Sequence, residues 1–323
     1  MSGRLAAEEG SFPSFDFGGL VFGDAYYVPS HHLEEGDGAA GLVMRRAYLT
    51  LDTKFSDRWF ARARLEFNQS GEFETYEFEG DWKDLYLGMK LGRHQVIAGL
   101  TGTPSFDLIE KIWGARYLMR TPADLQGIAS RDTGLFAKGP INASGTLAYR
   151  AMWAAPLDFG AESNPNARVM GAVSWSPGKK LTFDFYADYE ERKGAHDRTM
   201  LQAYMAYQAE LVRWGLQYTN QDRQEDPPLE LASGFVAAKL GEKSSVIGRI
   251  DRLIEPSPRG DGIAYIPFDP SAPATMYLAA YEYKLKPNLT LTPNFIVIDY
   301  DRNDEGQQPR TDFYLRLTAY FRF

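Results

Sequence analysis

The chain has 323 residues, with 35 Lys and Arg against 43 Asp and Glu, so its formal net charge is -8 and its pI is near 5.2. This acidic balance excludes nucleic acid as an expected partner. There is no cysteine, which excludes disulfides, thiolate metal sites and haem attached through a C-x-x-C-H motif.

In chain order, residues 1–14 are predicted to be a periplasmic tail, and the segments that follow alternate apolar and polar residues as β-strands do. In the third segment, Trp59, Leu65 and Phe67 share one face, while Arg62 and Arg64 share the other. This pattern predicts sixteen strands, at residues 16–28, 41–54, 57–70, 80–91, 93–101, 129–138, 143–154, 167–176, 179–191, 198–209, 211–222, 231–241, 243–256, 274–285, 287–300 and 310–323.

The last segment alternates over its whole length. Phe313, Leu317 and Phe321 lie on one face, and Arg316 and Arg322 on the other. A soluble sandwich would pack its apolar face on a second sheet and turn its polar face to water. A membrane barrel turns the apolar face to lipid and keeps charge inside, and the recurrence of the pattern favours this arrangement.

Short and long connections alternate between the predicted strands. Tight turns fall near residues 56–57, 92, 139–140, 177–178, 241–242 and 287–288, and long polar loops at 31–40, 70–79, 156–166, 222–230, 256–273 and 301–310. This asymmetry predicts one closed outer-membrane β-barrel domain over residues 1–323, with both termini on the short-turn side. Mean hydropathy is -0.38 and 14% of residues are aromatic, values that suit alternating strands with aromatic belts.

The longest gap, residues 101–129, is predicted to be a constriction loop that folds into the pore. Phe106, Ile109, Ile112 and Trp113 have nearly helical spacing, and this helical segment is predicted to end at Pro122. Loops of this length are usually functional in compact folds. The alternatives are a surface helix or a contact between subunits.

Several short motifs resemble the phosphate-selective porins O and P of Gram-negative bacteria. They are Arg45-Arg46-Ala47-Tyr48-Leu49, Asp84-Leu85-Tyr86-Leu87-Gly88, Gly99 to Pro104, and Arg131-Asp132-Thr133-Gly134. The resemblance covers residues 45–140 and implies a homotrimer of sixteen-stranded barrels that passes small anions. Family members often carry a lysine where this chain has Gly102, so phosphate specificity does not follow from the resemblance.

A set of basic residues is predicted to line the pore, by strand parity or by position in the constriction loop. Arginine suits an anion path because its planar fork binds phosphate or carboxylate bidentately and keeps its charge. We predict Arg62 and Arg64 to lie opposite Arg116 and Arg120. The whole predicted set is Arg46, Arg62, Arg64, Lys90, Lys111, Arg116, Arg120, Arg150, Arg213 and Arg316.

The sequence therefore predicts a porin for passive diffusion of small hydrophilic solutes that favours anions such as phosphate. A general, carboxylate- or sugar-permeable porin and a structural or partner-binding barrel stay open as alternatives. An enzyme is not expected, because no nucleophile elbow, phosphate-cradling loop or dinucleotide fingerprint is present. No cofactor or metal is expected either; His31 and His32 are interpreted as solvated side chains of an external loop.

The expected surroundings are outer-membrane lipid and lipopolysaccharide, with two further copies of the chain completing a homotrimer. Met1 to Gly10 has no apolar core and does not match a secretory signal. An exported barrel needs such a signal, so we interpret the sequence as a mature form from which it has been removed.

Overall fold

The computed structural model describes residues 12–69, 78–155, 166–192 and 195–323. These ranges contain sixteen β-strands, which are β1 (Ser14–Ser30), β2 (Ala40–Lys54), β3 (Trp59–Gln69), β4 (Phe78–Leu91), β5 (His94–Gly102), β6 (Arg131–Pro140), β7 (Leu147–Ala154), β8 (Ala167–Trp175), β9 (Leu181–Glu191), β10 (Arg198–Gln208), β11 (Val212–Asp222), β12 (Leu229–Lys239), β13 (Ser244–Leu253), β14 (Ala274–Lys286), β15 (Leu289–Tyr300) and β16 (Asp312–Arg322).

The strands form one closed antiparallel barrel in which each strand pairs with its neighbours in sequence. Strand β1 pairs with β16, and Leu20 lies opposite Arg322. At the seam, the Phe323 N–H donates to the Gly19 carbonyl at 3.0 Å, and the Gly19 N–H donates to the Phe323 carbonyl at 2.9 Å. The predicted sixteen-stranded barrel is confirmed. One predicted turn, at 139–140, is wrong, because β6 extends to Pro140 and the connection occupies residues 141–146.

Polar and apolar residues lie on opposite faces of the wall. Phe185 and Leu201 are 61% and 63% exposed, whereas their chain neighbours Asp184 and Gln202 are buried. Aromatic rings stack near the short turns, as in the Trp175–Phe183 pair with 5.4 Å between centroids. This is the inverse of a soluble sandwich, and it matches a wall with lipid outside and polar groups inside.

The strand pairing of the described residues shifts register at four places, and two of these shifts are bulges that place adjacent charged residues in the wall. From Phe22 to Asp24, β1 advances two residues while β2 advances three, from Arg46 to Val43. A Cβ on Gly23 would lie 2.3 Å from the Val43 carbonyl oxygen, so this close approach requires glycine. In the second bulge, β4 advances from Asp84 to Trp82 while β3 advances only one residue. Each bulge buries two consecutive charged residues, Arg45 with Arg46 and Lys83 with Asp84.

The segment between β5 and β6, residues 103–130, contains helices α1 (Asp107–Trp113) and α2 (Pro122–Leu125). Helix α1 ends at Trp113 and is capped by Gly114, whose φ of 63° is left-handed and whose N–H donates to the Glu110 carbonyl at 2.9 Å. The helix predicted to continue to Pro122 is therefore wrong. Pro122 opens α2, because proline fits the first turn of a helix. Among the described residues, no helix has the length and apolar character to cross a membrane.

The loop between β13 and β14, residues 254–273, is not the polar external loop that the sequence predicts. Ile263, Ile266 and Phe268 are buried. The Tyr265 hydroxyl lies within hydrogen-bond distance of the Arg45 carbonyl, at 3.0 Å, and of the Gln69 carbonyl, and it can donate its one proton to either. The loop therefore spans from β13 to the ends of β2 and β3, past β14, β15, β16 and β1.

The predicted periplasmic tail, residues 1–14, ends one residue earlier than expected, because β1 begins at Ser14. The rest of that prediction, residues 1–11, lies outside the described residues. The predicted loops at 70–79 and 156–166 also fall mainly outside them. That the termini lie on the periplasmic side of the membrane stays a prediction.

Candidate functional site

The β2 bulge turns two guanidinium groups to the same side of the wall. Arg45 pairs with Asp24, with 2.6 Å between Nε and Oδ2, and Arg46 pairs with Glu66. All four side chains are buried. Burial of charge is tolerated only where partners are this close, so the bulge creates a dense, fully paired cluster.

The β4 bulge extends this cluster. The Lys83 Nζ lies 3.3 Å from Glu66 Oε2. Asp84 lies between two arginines, 3.0 Å from Arg64 Nη1 and 2.8 Å from Arg131 Nε. The wall formed by β2, β3, β4 and β6 therefore carries more cationic than anionic side chains at this height.

Arginines from four different strands donate hydrogen bonds to backbone carbonyls of the β5–β6 segment. The pairs are Arg45 of β2 with Tyr117 and Leu118, Arg150 of β7 with Pro104, Arg213 of β11 with Trp113, and Arg249 of β13 with Arg120. Carbonyls in short helices and turns lack intrahelical partners, and guanidinium groups satisfy them from several directions. The same segment reaches β14, where the Tyr117 hydroxyl donates to Glu282.

A cavity of about 510 Å³ lies between the β5–β6 segment and the wall. Its charged lining residues are Arg64, Lys83, Arg116, Arg131, Asp16, Asp52 and Glu110. Burial raises the pKa of Glu110, and nearby Asp124 raises it further, while Arg116 opposes both. The four cations therefore face three acids, one of which holds its proton to a higher pH than usual.

A second, narrow cavity of about 20 Å³ lies where the β5–β6 segment meets the β13–β14 loop. Its lining includes no carboxylate among the described residues. Five arginines line it, from β2, from the β5–β6 segment and from β16: Arg45, Arg46, Arg116, Arg120 and Arg316. Tyr265 completes the lining from the β13–β14 loop, and its carbonyl accepts from Arg316 at 2.8 Å.

The predicted pore-lining residues divide into two groups. Arg46, Arg64, Arg116, Arg120 and Arg316 line the two cavities. The other predicted residues line neither cavity, and their place along the pore stays a prediction.

Arg150 and Arg213 hold the β5–β6 segment by its carbonyls, and Arg150 also pairs with Asp184 at 2.8 Å. Arg62 pairs with Asp52 at 2.7 Å. Lys90 and Lys111 are exposed and line neither cavity. Parity alone does not separate a residue that lines a passage from one that anchors a loop.

Arg45, Lys83 and Arg131 belong to this site but are absent from the predicted set. Strict alternation assigns Arg45 and Lys83 to the lipid face, next to Arg46 and Asp84. A signal was nevertheless present, because two consecutive charged residues within an apolar-polar alternation would leave one charge in lipid. That costs about 2–4 kcal/mol at the bilayer midplane for Arg or Lys, so a bulge is the favourable solution.

The interpretation of His31 and His32 as solvated is wrong. His31 is buried and its Nε2 lies 2.8 Å from the Tyr314 hydroxyl, while its Nδ1 accepts from the Leu33 N–H at 2.9 Å. His31, His32 and Asp312 have potential ligand atoms within 4.8 Å of one another. Both ring nitrogens of His31 are already engaged, so the group offers no lone pair for a metal without breaking these bonds.

No protein-family model matches the chain, and no curated protein matches it by sequence. Solved structures do match it in fold. An anion-selective porin from Comamonas acidovorans is 14% identical, with a TM-score of 0.66 over 96% of this chain and 100% of that one.

The outer membrane channel DcaP of Acinetobacter baumannii is 11% identical, with a TM-score of 0.67 over 99% of each chain. In vitro-folded OmpT, an outer membrane protein of Vibrio cholerae in its trimer form, is 13% identical, with a TM-score of 0.62 over 97% of this chain and 100% of that one. The chain therefore has the fold of bacterial outer-membrane porins.

Proposed function

We propose that the protein is a porin of the bacterial outer membrane through which small hydrophilic solutes diffuse passively, and that it favours anions. The closed sixteen-stranded wall with its exposed apolar face supports the membrane location. The fold shared with outer-membrane porins and channels supports the transport role. No metal, cofactor or chemical step enters this proposal.

The β5–β6 segment is the proposed constriction, folded into the lumen. It contacts strands that lie far apart around the barrel, namely β2, β7, β11, β13 and β14. A segment lying outside a closed wall cannot reach the buried face of all five. The proposed passage runs beside the segment, and the two cavities border it.

The proposed anion preference rests on one observation, the five arginines around the narrow cavity. Among the pairs that these arginines form with carboxylates, Arg45 and Arg316 contact Asp24, Arg46 contacts Glu66 and Arg116 contacts Asp124. The carboxylates lie behind the guanidinium groups and are not part of the lining, so a solute meets the cationic side first. Cations that border a narrow, low-dielectric passage raise the local anion concentration.

Phosphate is included among the proposed anions without being singled out. At Gly102, where the resembling family often has lysine, a Cβ would lie 1.9 Å from the Asp107 Oδ1. A lysine there would have to displace Asp107. The proposed solutes are therefore small anions in general, phosphate and carboxylates among them, and the groups proposed to attract them are mainly guanidinium groups.

The test is the reversal potential of the purified protein in a planar bilayer under a KCl gradient, for the wild type, for Arg120→Ser and for Lys179→Ser. Arg120 lines the narrow cavity, whereas Lys179 is exposed at the β8–β9 turn, so the two variants lose the same charge at different places. The anion-to-cation permeability ratio should fall roughly sevenfold in Arg120→Ser, because the loss of one unit charge about 7 Å away in water raises the energy of the anion by about one RT and lowers that of the cation by the same amount. It should not change in Lys179→Ser.

Other outcomes select the alternatives. Conductance without ion preference, together with permeation of neutral sugars, would favour a general porin. Cation preference in the wild type would remove the anion proposal. A folded barrel that conducts nothing would favour a structural or partner-binding barrel.

A homotrimer embedded in lipid and lipopolysaccharide is the proposed assembly. The trimer form of the Vibrio cholerae protein with this fold supports it. A shallow outward groove of about 630 Å³ on β8, β9 and β10, which includes Gly171, Ala187 and Ala203, is one candidate contact. Chemical cross-linking in native membranes, followed by denaturing electrophoresis, should give a three-chain product, and Ala187→Trp tests this groove as the contact.

A further inference from the structure

His32 lies between two carboxylates that belong to different parts of the chain. Its Nδ1 is 2.9 Å from Asp312 Oδ2, at the start of β16, and its Nε2 is 3.0 Å from Asp261 Oδ1, in the β13–β14 loop. The His32 side chain is only 4% exposed. One imidazole thus joins the loop between β1 and β2, the last strand, and the loop that covers the narrow cavity.

The two contacts together define the protonation state. A neutral imidazole has one N–H and one lone pair, so it can donate to one carboxylate and must turn a lone pair towards the other. Only the imidazolium donates at both nitrogens. Burial lowers the pKa of His32, but the hydrogen bonds and charges of Asp312 and Asp261 outweigh it, so the pKa lies above its ordinary value of 6.5.

The groups around His32 keep this charge on its own ring. His31 stacks on it, with 4.4 Å between ring centroids, but burial lowers the pKa of His31 and its nitrogens are engaged elsewhere. From β15, the Tyr300 hydroxyl donates to Asp312 at 2.6 Å. His32 is therefore the ring that carries the charge at this point, and its pKa is the one raised above 6.5.

The two carboxylates respond differently when His32 loses its proton. Asp312 is buried and retains the Tyr300 hydroxyl and the His32 backbone N–H, which donates at 2.6 Å. Asp261 is half exposed, and within the described ranges His32 is its one side-chain hydrogen-bond partner. The remaining ring N–H therefore stays with Asp312, and the contact with Asp261 is lost.

Asp261 lies beside the part of the loop that covers the arginines. Ile263 and Ile266 are buried, and Ala264, Tyr265 and Ile266 line the narrow cavity. Asp261 is thus only three to five residues from the part of the loop that lines the narrow cavity. The rest of the loop keeps its own bonds, such as the one from Ser257 to Gln126 at 2.7 Å.

We propose that His32 is a pH-sensitive latch, which holds the tip of the β13–β14 loop to the start of β16 when it is protonated and releases it when it is neutral. The loop is held at acidic pH and is freed as pH rises through the titration of His32. The effect on solute passage rests on the proposed function, whereas the movement of the loop does not.

The absence of cysteine in the chain permits a direct test. Ile263→Cys places a thiol at a position that is 2% exposed, and Gly262→Cys places one at an exposed position where an added Cβ meets no atom within 4 Å. Both proteins in liposomes are treated with a charged methanethiosulfonate reagent from about pH 5 to about pH 8.5. The ratio of the two labelling rates removes the intrinsic pH dependence of the thiol.

The Ile263→Cys to Gly262→Cys rate ratio should rise roughly three- to tenfold with pH, because one partly exposed charge-assisted hydrogen bond is lost. Adding His32→Gln or Asp261→Asn should make the ratio high and independent of pH. A ratio that does not change with pH, or one that still changes after His32→Gln, would overturn the latch.

Conductance separates this proposal from the proposed function. A pH-dependent labelling ratio with no conductance at any pH would retain the latch and reject the channel. Anion conductance with a constant labelling ratio would retain the channel and reject the latch.

Discussion

Two sides of the barrel place charged side chains on the inner face of the wall in different ways. From β8 to β13, strand pairing continues without a register shift, and charged side chains alternate with lipid-facing ones, as Arg168 does with Val169. Between β1 and β4, two bulges break the register and place Arg45 beside Arg46 and Lys83 beside Asp84. The regular side supplies single anchors, and the bulged side supplies a connected cluster.

The difference shows how a barrel increases its internal charge without exposing charge to lipid. An alternating strand can turn only every second residue inward. A bulge adds one inward residue at the cost of a local interruption of the ladder. Here the additional residues are cationic, and they lie beside both cavities.

The largest expected effect on stability comes from replacing Arg45, which lies in the bulge of β2. Arg45→Met should lower the free energy of unfolding by about 3–5 kcal/mol, because Asp24 loses a buried ion-pair partner. Arg213→Met, on the regular side, should cost about 1.5–3 kcal/mol, the value of one hydrogen bond from a charged group, here to the Trp113 carbonyl. Urea unfolding in lipid vesicles, followed by tryptophan fluorescence, measures both. Equal losses would remove the distinction between the two sides.

A smaller effect should come from the glycine at the bulge. Gly23→Ala should cost about 1–3 kcal/mol, since its Cβ would meet backbone at 2.3 Å. Gly171→Ala on the regular side is the matched control, because an added Cβ there meets no atom within 4 Å. It should change stability by about 0.5 kcal/mol or less. The same unfolding assay applies, and a tolerant Gly23→Ala would mean that the bulge accommodates side chains.

The smallest expected effect concerns Glu110, in the β5–β6 segment. Burial raises the pKa of Glu110, so the folded state favours its neutral form. Stability should therefore fall as pH rises from the ordinary value of 4.5 through the raised pKa. Glu110→Gln should remove this slope and gain about 1 kcal/mol at neutral pH. Unfolding measured from about pH 4 to about pH 8 checks it, and an unchanged slope would contradict it.

The strands were predictable because period-two alternation is a local property of the sequence. In Phe313 to Phe323, for example, the face on which each residue lies can be predicted without knowing the neighbouring strand. The bulges were not predicted, because an extra residue is defined by the register between two strands. The local sequence signal of the two bulges is a pair of adjacent charged residues, Arg45-Arg46 in one and Lys83-Asp84 in the other.

The roles of the arginines were less predictable than their faces. Parity turns Arg46 and Arg150 inward alike, but whether a guanidinium meets a solute or a loop carbonyl depends on the path of residues 103–130. The β13–β14 loop poses the same difficulty. The sequence shows that Ile263, Ile266 and Phe268 are apolar, but it does not show what they pack against, because their partners lie on distant elements.

The seam between β1 and β16 has a consequence for biogenesis. Until β16 is in place, β1 and β15 each present a row of unpaired N–H and C=O groups, which the bilayer interior cannot hydrate. A chain without those last residues is not a slightly smaller channel but an open sheet with two unsatisfied edges. Strand β16 thus decides whether the other fifteen strands can remain in lipid.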